Sequence, residues 1–176
     1  MIRLTARGLL FKGVTYPCTV GRGGLALHKR EGDGATPIGA HRIVEMFHRA
    51  DRIGNAPHWS RAIGPRDLWC DESGDRDYNT LVHAPFAHSH EMLRRADPLY
   101  DLVLVTDWNY PQAVAGKGSA IFIHTWRRAT FPTAGCIAMR QDHLLHLARR
   151  IAPGEPLLVP PITRFRPRGH KAIDRA

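Results

Sequence analysis

A chain of 176 residues with a net charge of +9 and 43% apolar residues suits one globular domain with its own core. No run approaches the roughly 20 apolar residues of a bilayer-spanning helix, which sets aside a helical membrane protein. The basic excess invites a nucleic-acid reading, but the aromatics are not interleaved with the basic residues as a stacking platform requires, so no nucleic-acid partner is expected.

In chain order, Met1 to Phe11 lacks the apolar stretch of roughly 7–15 residues that marks a secretion signal. The first twenty residues read as two short strands around a turn at Lys12-Gly13. Pro17 places the second of them at a sheet edge. Gly21–Gly39 is a glycine-rich loop without the Gly-Lys-Ser/Thr ending of a P-loop, and its charged residues suggest one wall of a cleft. His41–Phe47 reads as a strand. Residues 50–79 are polar and irregular; together with Asp77-Tyr78-Asn79 and His88-Ser89-His90-Glu91 they read as the walls or lid of a groove. His88 and His90 tempt a metal assignment, but such neighbours are more often surface residues.

Asp101–Thr106 and Ala120–His124 are apolar runs with the composition of buried strands, and alternation puts His124 on the side of Phe122. Leu144, Leu147, Ala148 and Ile151 recur at helical spacing. Asp142 in the first turn and Arg149 and Arg150 in the last suit the dipole of that helix. Ala152-Pro153-Gly154 ends it, and Pro156–Val159 adds a last strand. The fold class is therefore mainly β with minor α: a single domain over residues 1–160 with one or two packed helices, followed by a basic tail at 161–176. That tail, rich in Arg, Pro and Gly, reads as solvated chain or as a contact for an anionic wall or membrane surface.

The chemistry concentrates in two places. His124 ends an apolar strand, and twelve residues later Cys136 follows Gly135 in a turn of small residues. A cysteine brought beside a histidine is the minimum kit for thiolate acyl transfer, because the imidazole takes the thiol proton, or holds it as an ion pair, and the sulfur attacks a carbonyl. Backbone amides of Ala134, Gly135 and Cys136 are candidates for an oxyanion hole. A lone Gly-Cys is more often a buried structural thiol; the linked histidine and the flanking apolar runs reverse that preference. Cys18, Cys70 and Cys136 contain no Cys-x-x-Cys pair, so neither a metal nor another cofactor is expected. A Cys18–Cys70 disulfide and two buried free thiols both fit the sequence, the thiols being the commoner case.

The run Ser119–Trp126 with Pro132–Met139 resembles the L,D-transpeptidase catalytic domain (YkuD-like) family, in which a His precedes a Ser/Thr-His-Gly-Cys turn. Here the turn reads Thr133-Ala134-Gly135-Cys136, with Ala134 in place of the family's second histidine and a shorter His-to-Cys spacing. Thr36-Pro37-Ile38-Gly39-Ala40-His41 is similar to the family's Thr-Pro-x-Gly-x-aromatic turn. The resemblance covers about residues 1–160. It implies a β-sandwich-type domain whose long loops form a groove for peptidoglycan stem peptides. It further implies Cys136 as nucleophile, His124 as base, and the backbone carbonyl of Thr125 as the group that orients the imidazole. Expected around them as substrate-binding residues are Arg30, Tyr78, Trp126, Arg127, Arg128, Thr133 and Arg140, the arginines as forks for stem carboxylates.

The implied reaction releases D-alanine from a diaminopimelate stem, forms a thioester, and passes the acyl group to an amine, giving 3-3 or 1-3 crosslinks. The alternatives are hydrolysis of stem peptides by the same pair as a carboxypeptidase, endopeptidase or amidase, and a basic binding module with an inert thiol. A periplasmic location is expected from the substrate.

Overall fold

The computed structural model describes residues 1–162; the basic tail proposed at 161–176 lies almost wholly outside them. Fifteen strands and one helix follow in order: β1 (Ile2–Thr5), β2 (Gly8–Phe11), β3 (Val14–Tyr16), β4 (Cys18–Thr19), β5 (Leu25–Ala26), β6 (Thr36–Pro37), β7 (Gly39–His48), β8 (Arg61–Ala62), β9 (Asp67–Cys70), β10 (Leu81–His83), β11 (His90–Met92), β12 (Leu102–Thr106), β13 (Phe122–Thr125), β14 (Ile137–Met139), α1 (Gln141–Ala148) and β15 (Glu155–Val159). A 3-10 turn, Pro98–Tyr100, precedes β12, with Asp97 capping it by accepting from the Leu99 amide. The mainly β domain with minor α expected from the sequence is the fold observed. Among the described residues, no helix is long and apolar enough to cross a membrane.

The large sheet runs β3-β2-β1-β15-β7-β12-β13-β14-β4, with β8 joined to β7. Its two end strands, β3 and β4, are consecutive in the chain and separated only by Pro17, so the sheet must curl until its ends meet. Lys12 and Gly13 form the β2–β3 hairpin turn, both with positive φ (45° and 80°), as a two-residue turn compatible with strand twist demands. The sequence reading merged β1 with β2, and β3 with β4; the extra turn at Ala6-Arg7 falls in a run too short to show periodicity.

β12 lies between β7 and β13, and all five of its residues are buried, which is why Leu102–Val105 reads as an unbroken apolar run. Alternation along it separates two cores. Leu102 and Leu104 face a cluster with Ile43, Met46, Ile123, Ile137, Met139 and the apolar side of α1. Val103 and Val105 face another with Phe47, Trp69, Tyr100, Phe122 and Cys136. The small sheet β10-β9-β11 covers this second face.

Its central strand β9 corrects the expectation of an irregular stretch over 50–79. Asp67–Cys70 is wholly buried, and the Trp69 ring packs on Phe122 at 5.1 Å and Tyr110 at 5.4 Å. Four residues flanked by Gly, Pro and charges carry too little pattern to announce a strand. The cysteines Cys18, Cys70 and Cys136 are all free and buried.

Candidate active site

β13 and β14 run parallel, with His124 opposite Ala138 and Ile123 opposite Ile137. Period-two alternation therefore puts His124, Ala138 and Cys136 on the face of Phe122, away from α1. Cys136, two residues before Ala138, is a diagonal neighbour of His124 across the strand pair. Both side chains line one cavity of about 590 Å³.

The imidazole has a fixed tautomer. His124 Nδ1 donates to the backbone carbonyl of Thr125 at 2.8 Å, leaving Nε2 as the ring's basic nitrogen. The Tyr100 ring packs T-shaped against it at 5.2 Å and 83°. Burial is the main reason its pKa falls to about 4, partly opposed by the backbone of Thr125 and of Leu99. The thiol is held as firmly: Cys136 Sγ–H donates to the Ala120 carbonyl at 3.0 Å, and the Phe122 amide donates to Sγ at 3.4 Å. Burial, then the negative field of Glu91, pushes the thiol up to about 12. Both shifts favour a neutral thiol beside a neutral imidazole at rest, not the ion pair that the sequence left open.

The turn carrying Cys136 is built by small residues. Gly135 has φ 146°, and a Cβ there would lie 3.0 Å from the Ala35 carbonyl oxygen. Thr133 Oγ1 donates to the Cys136 carbonyl at 2.6 Å and accepts from the Gly135 amide at 3.1 Å, cinching the turn from within. Thr36 of the Thr-Pro motif donates to the Gly135 carbonyl at 2.7 Å and accepts from the Gly21 amide at 2.9 Å. The glycine-rich loop thus docks on the cysteine turn, reinforced by Arg22 N–H to Thr133 O at 2.9 Å and Thr133 N–H to Val20 O at 3.1 Å.

The profile of the L,D-transpeptidase catalytic domain (YkuD) matches residues 4–159. The chain belongs to this family. No curated protein and no solved structure matches it significantly.

Of the residues singled out in sequence, this L,D-transpeptidase domain brings Cys136, His124, Ala134, Thr133, Trp126 and Arg127 to the cavity wall. Thr125 and Gly135 stand directly behind it, acting through the backbone contacts above. Four others are elsewhere. Arg140 is at the N-cap of α1, ion-paired with Asp142. Arg128 stacks on Phe131, 5.0 Å from its ring, and does not line the cavity. Arg30 is exposed in the glycine-rich loop, where its amide donates to Asp33.

Tyr78 is 3% exposed, donates to Glu31 and accepts from the Gly118 amide, so it is a core strut and not a groove wall. Its neighbour Asn79 accepts from both Trp69 Nε1 and the Ala120 amide, fixing the segment whose carbonyl holds the thiol. Among the described residues, no group of three or more His, Cys, Asp or Glu side chains gathers as a metal site.

Sequence reasoning missed Arg95, Leu99 and Tyr100, which line the same cavity, whereas Arg22 lines it as one of the charged residues of the glycine-rich loop expected to wall a cleft. Of the groove walls it suggested, His90 and Glu91 do line the cavity, while His88 does not. Arg95 sits between them in character: its Nε and Nη2 bind Asp97 at 2.8 and 2.7 Å, and its guanidinium lies 5.4 Å from the Tyr100 ring. Only the adjacency of charged residues in Arg94-Arg95-Ala96-Asp97 hinted at it.

Proposed function

We propose that the chain is a peptidoglycan L,D-transpeptidase that works through a thioester on Cys136. The observation that carries this reading is the placement of a thiol and a tautomer-fixed imidazole on one face of two adjoining parallel strands, both opening into one cavity.

In the first half-reaction Cys136 Sγ attacks the carbonyl joining the L-centre of diaminopimelate to D-alanine, and its proton passes to His124 Nε2. Because the resting pair is neutral, the proton moves as the sulfur attacks and not beforehand. The developing oxyanion faces the amides of Ala134 and Cys136; that of Gly135 is already committed to Thr133. Collapse of the tetrahedral adduct breaks the C–N bond, and His124 returns the proton to the departing amine of D-alanine. A second stem's amine then attacks the thioester, gives its proton to His124, and forms the 3-3 or 1-3 crosslink. The proton finally returns to the departing sulfur. Water in place of the amine gives an L,D-carboxypeptidase.

Arg22 and Arg127, both exposed on the cavity wall, suit the carboxylates of the stem. The substrate places the reaction outside the cytoplasmic membrane, in the periplasm.

Incubation with disaccharide-tetrapeptide tests the reading. Release of D-alanine with new dimers by mass spectrometry is expected, together with a carbapenem adduct on Cys136; both are lost in Cys136→Ala. An active Cys136→Ala protein overturns the mechanism. Loss of existing dimers without gain of new ones identifies a hydrolase instead.

A further inference from the structure

Among the described residues the cavity wall carries one acid. Arg22, Arg95 and Arg127 are cations there, and Glu91 is the one carboxylate among the described residues. Glu91 sits mid-strand in β11, half-buried, and its Oε2 accepts from the Tyr100 hydroxyl. A carboxylate withdrawn from bulk water normally acquires a cationic partner, because an uncompensated charge is costly there. The guanidinium whose field reaches it is that of Arg95. That group is diverted: two of its nitrogens are held by Asp97, and its plane lies over Tyr100.

Glu91 consequently makes no ion pair among the described residues, and its second oxygen has no protein donor. Nor is that oxygen sealed in, unlike Thr19 Oγ1, which is buried without a partner. A carboxyl oxygen is left open in the cavity that holds the sulfur and the imidazole, and burial raises the pKa of this group above the usual carboxylate range, a cost that an arriving cation would offset. Met92, Leu99 and Phe131 supply apolar wall around it.

We propose that Glu91 is a specificity-determining residue that selects a substrate ammonium. The cavity then takes a zwitterionic peptide end, its ammonium on Glu91 and its carboxylate on Arg22 or Arg127, with an aliphatic spacer along the apolar wall. This assignment rests on the reading of Cys136 as a thiol acylated by stem peptides. The Tyr100 hydroxyl that binds Glu91 belongs to the ring packed on His124, so the ammonium slot and the imidazole share one support.

The test uses the full chain and two kinds of probe. In the first, Cys136 is labelled with methanethiosulfonates that differ only in carrying an ammonium or no charge, the labelled site being confirmed by mass spectrometry. Relative to free cysteine, the wild-type protein favours the ammonium reagent by about tenfold, the scale of one charge-assisted hydrogen bond. In Glu91→Gln, which keeps an acceptor for Tyr100, that preference falls to the free-cysteine ratio.

In the second, stem donors with diaminopimelate are compared with counterparts lacking its free amino group. Glu91→Gln raises KM for the former about tenfold, toward the value for the latter. A wild-type ratio no greater than that of free cysteine overturns the proposal without recourse to any variant, and so does a preference retained in Glu91→Gln. A wild-type protein that shows the labelling preference yet releases D-alanine from no stem supports the ammonium site and overturns the transpeptidase reading instead.

Discussion

The hydroxyl of Thr36 donates to the backbone carbonyl of Gly135 at 2.7 Å, joining two segments 99 residues apart at the peptide unit next to the reactive sulfur. The same oxygen accepts from the Gly21 amide, so one buried side chain satisfies a donor and an acceptor of two loops. The Thr-Pro motif and the Gly-Cys turn are thus one structural unit.

Thr36→Val preserves shape but leaves the Gly21 N–H and the Gly135 C=O without their partner. A loss of about 1–3 kcal/mol in denaturant unfolding is expected. Acylation of Cys136 by a carbapenem should slow more than ten-fold, roughly what a displaced nucleophile loses. Thr36→Ser should recover most of both.

Gly135→Ala places a Cβ 3.0 Å from the Ala35 carbonyl and 3.3 Å from Ile121 Cδ1, at a φ that L-residues rarely adopt. We expect a cost of about 1–3 kcal/mol from backbone strain and contact, and loss of acylation by mass spectrometry. Gly13→Ala is the control: its φ is also positive, yet no atom lies within 4 Å of the added Cβ, so acylation should be retained.

Burial holds the Cys136 thiol at about 12, so little thiolate exists near neutrality. The rate of alkylation by iodoacetamide should rise steadily from pH 7 to 10 without a plateau. A rate independent of pH across 6 to 8 reports a thiolate–imidazolium pair and rejects the neutral resting state.

The imidazole of His124 ties stability to acid. Its pKa moves from 6.5 to about 4 on folding, so between those values the unfolded chain binds the extra proton. Stability is therefore full above about pH 6.5 and falls as pH drops toward 4, by up to about 3 kcal/mol from this group. His41, His48 and His146, also lowered by burial, add to the same slope. His124→Gln should flatten the dependence of the denaturation midpoint on pH over that window.

Much of the fold could be read directly because its central strands are simple. Leu102–Val105 is an unbroken apolar run since both faces are covered, and Phe122–Thr125 alternates between two cores. The Lys12-Gly13 turn and the helix periodicity are likewise local signals. What stayed hidden depends on distant partners. Tyr78 looked like a groove residue because it lies in a polar stretch, but Glu31 and the Gly118 amide draw it inward. Tyr100 and Glu91 meet through one hydrogen bond between a 3-10 turn and a two-sided edge of a small sheet, which no spacing rule encodes. The arginines near the cysteine in sequence were favoured over Arg22 and Arg95, which reach the cavity only through the fold.

His124 and Cys136 are brought near one another by the β13–β14 ladder, while the residues joining those strands run over the mouth of the cavity. The register is set by hydrogen bonds that do not depend on how long that connection is. Evolution can therefore lengthen, shorten or recompose residues 127–132 to suit a new partner without disturbing the reacting pair, Trp126 still belonging to the ladder through its amide's bond to Met139 O. In engineering terms the segment is an exchangeable mouthpiece, and grafting it between relatives should move acceptor preference while the thiol's own chemistry stays put.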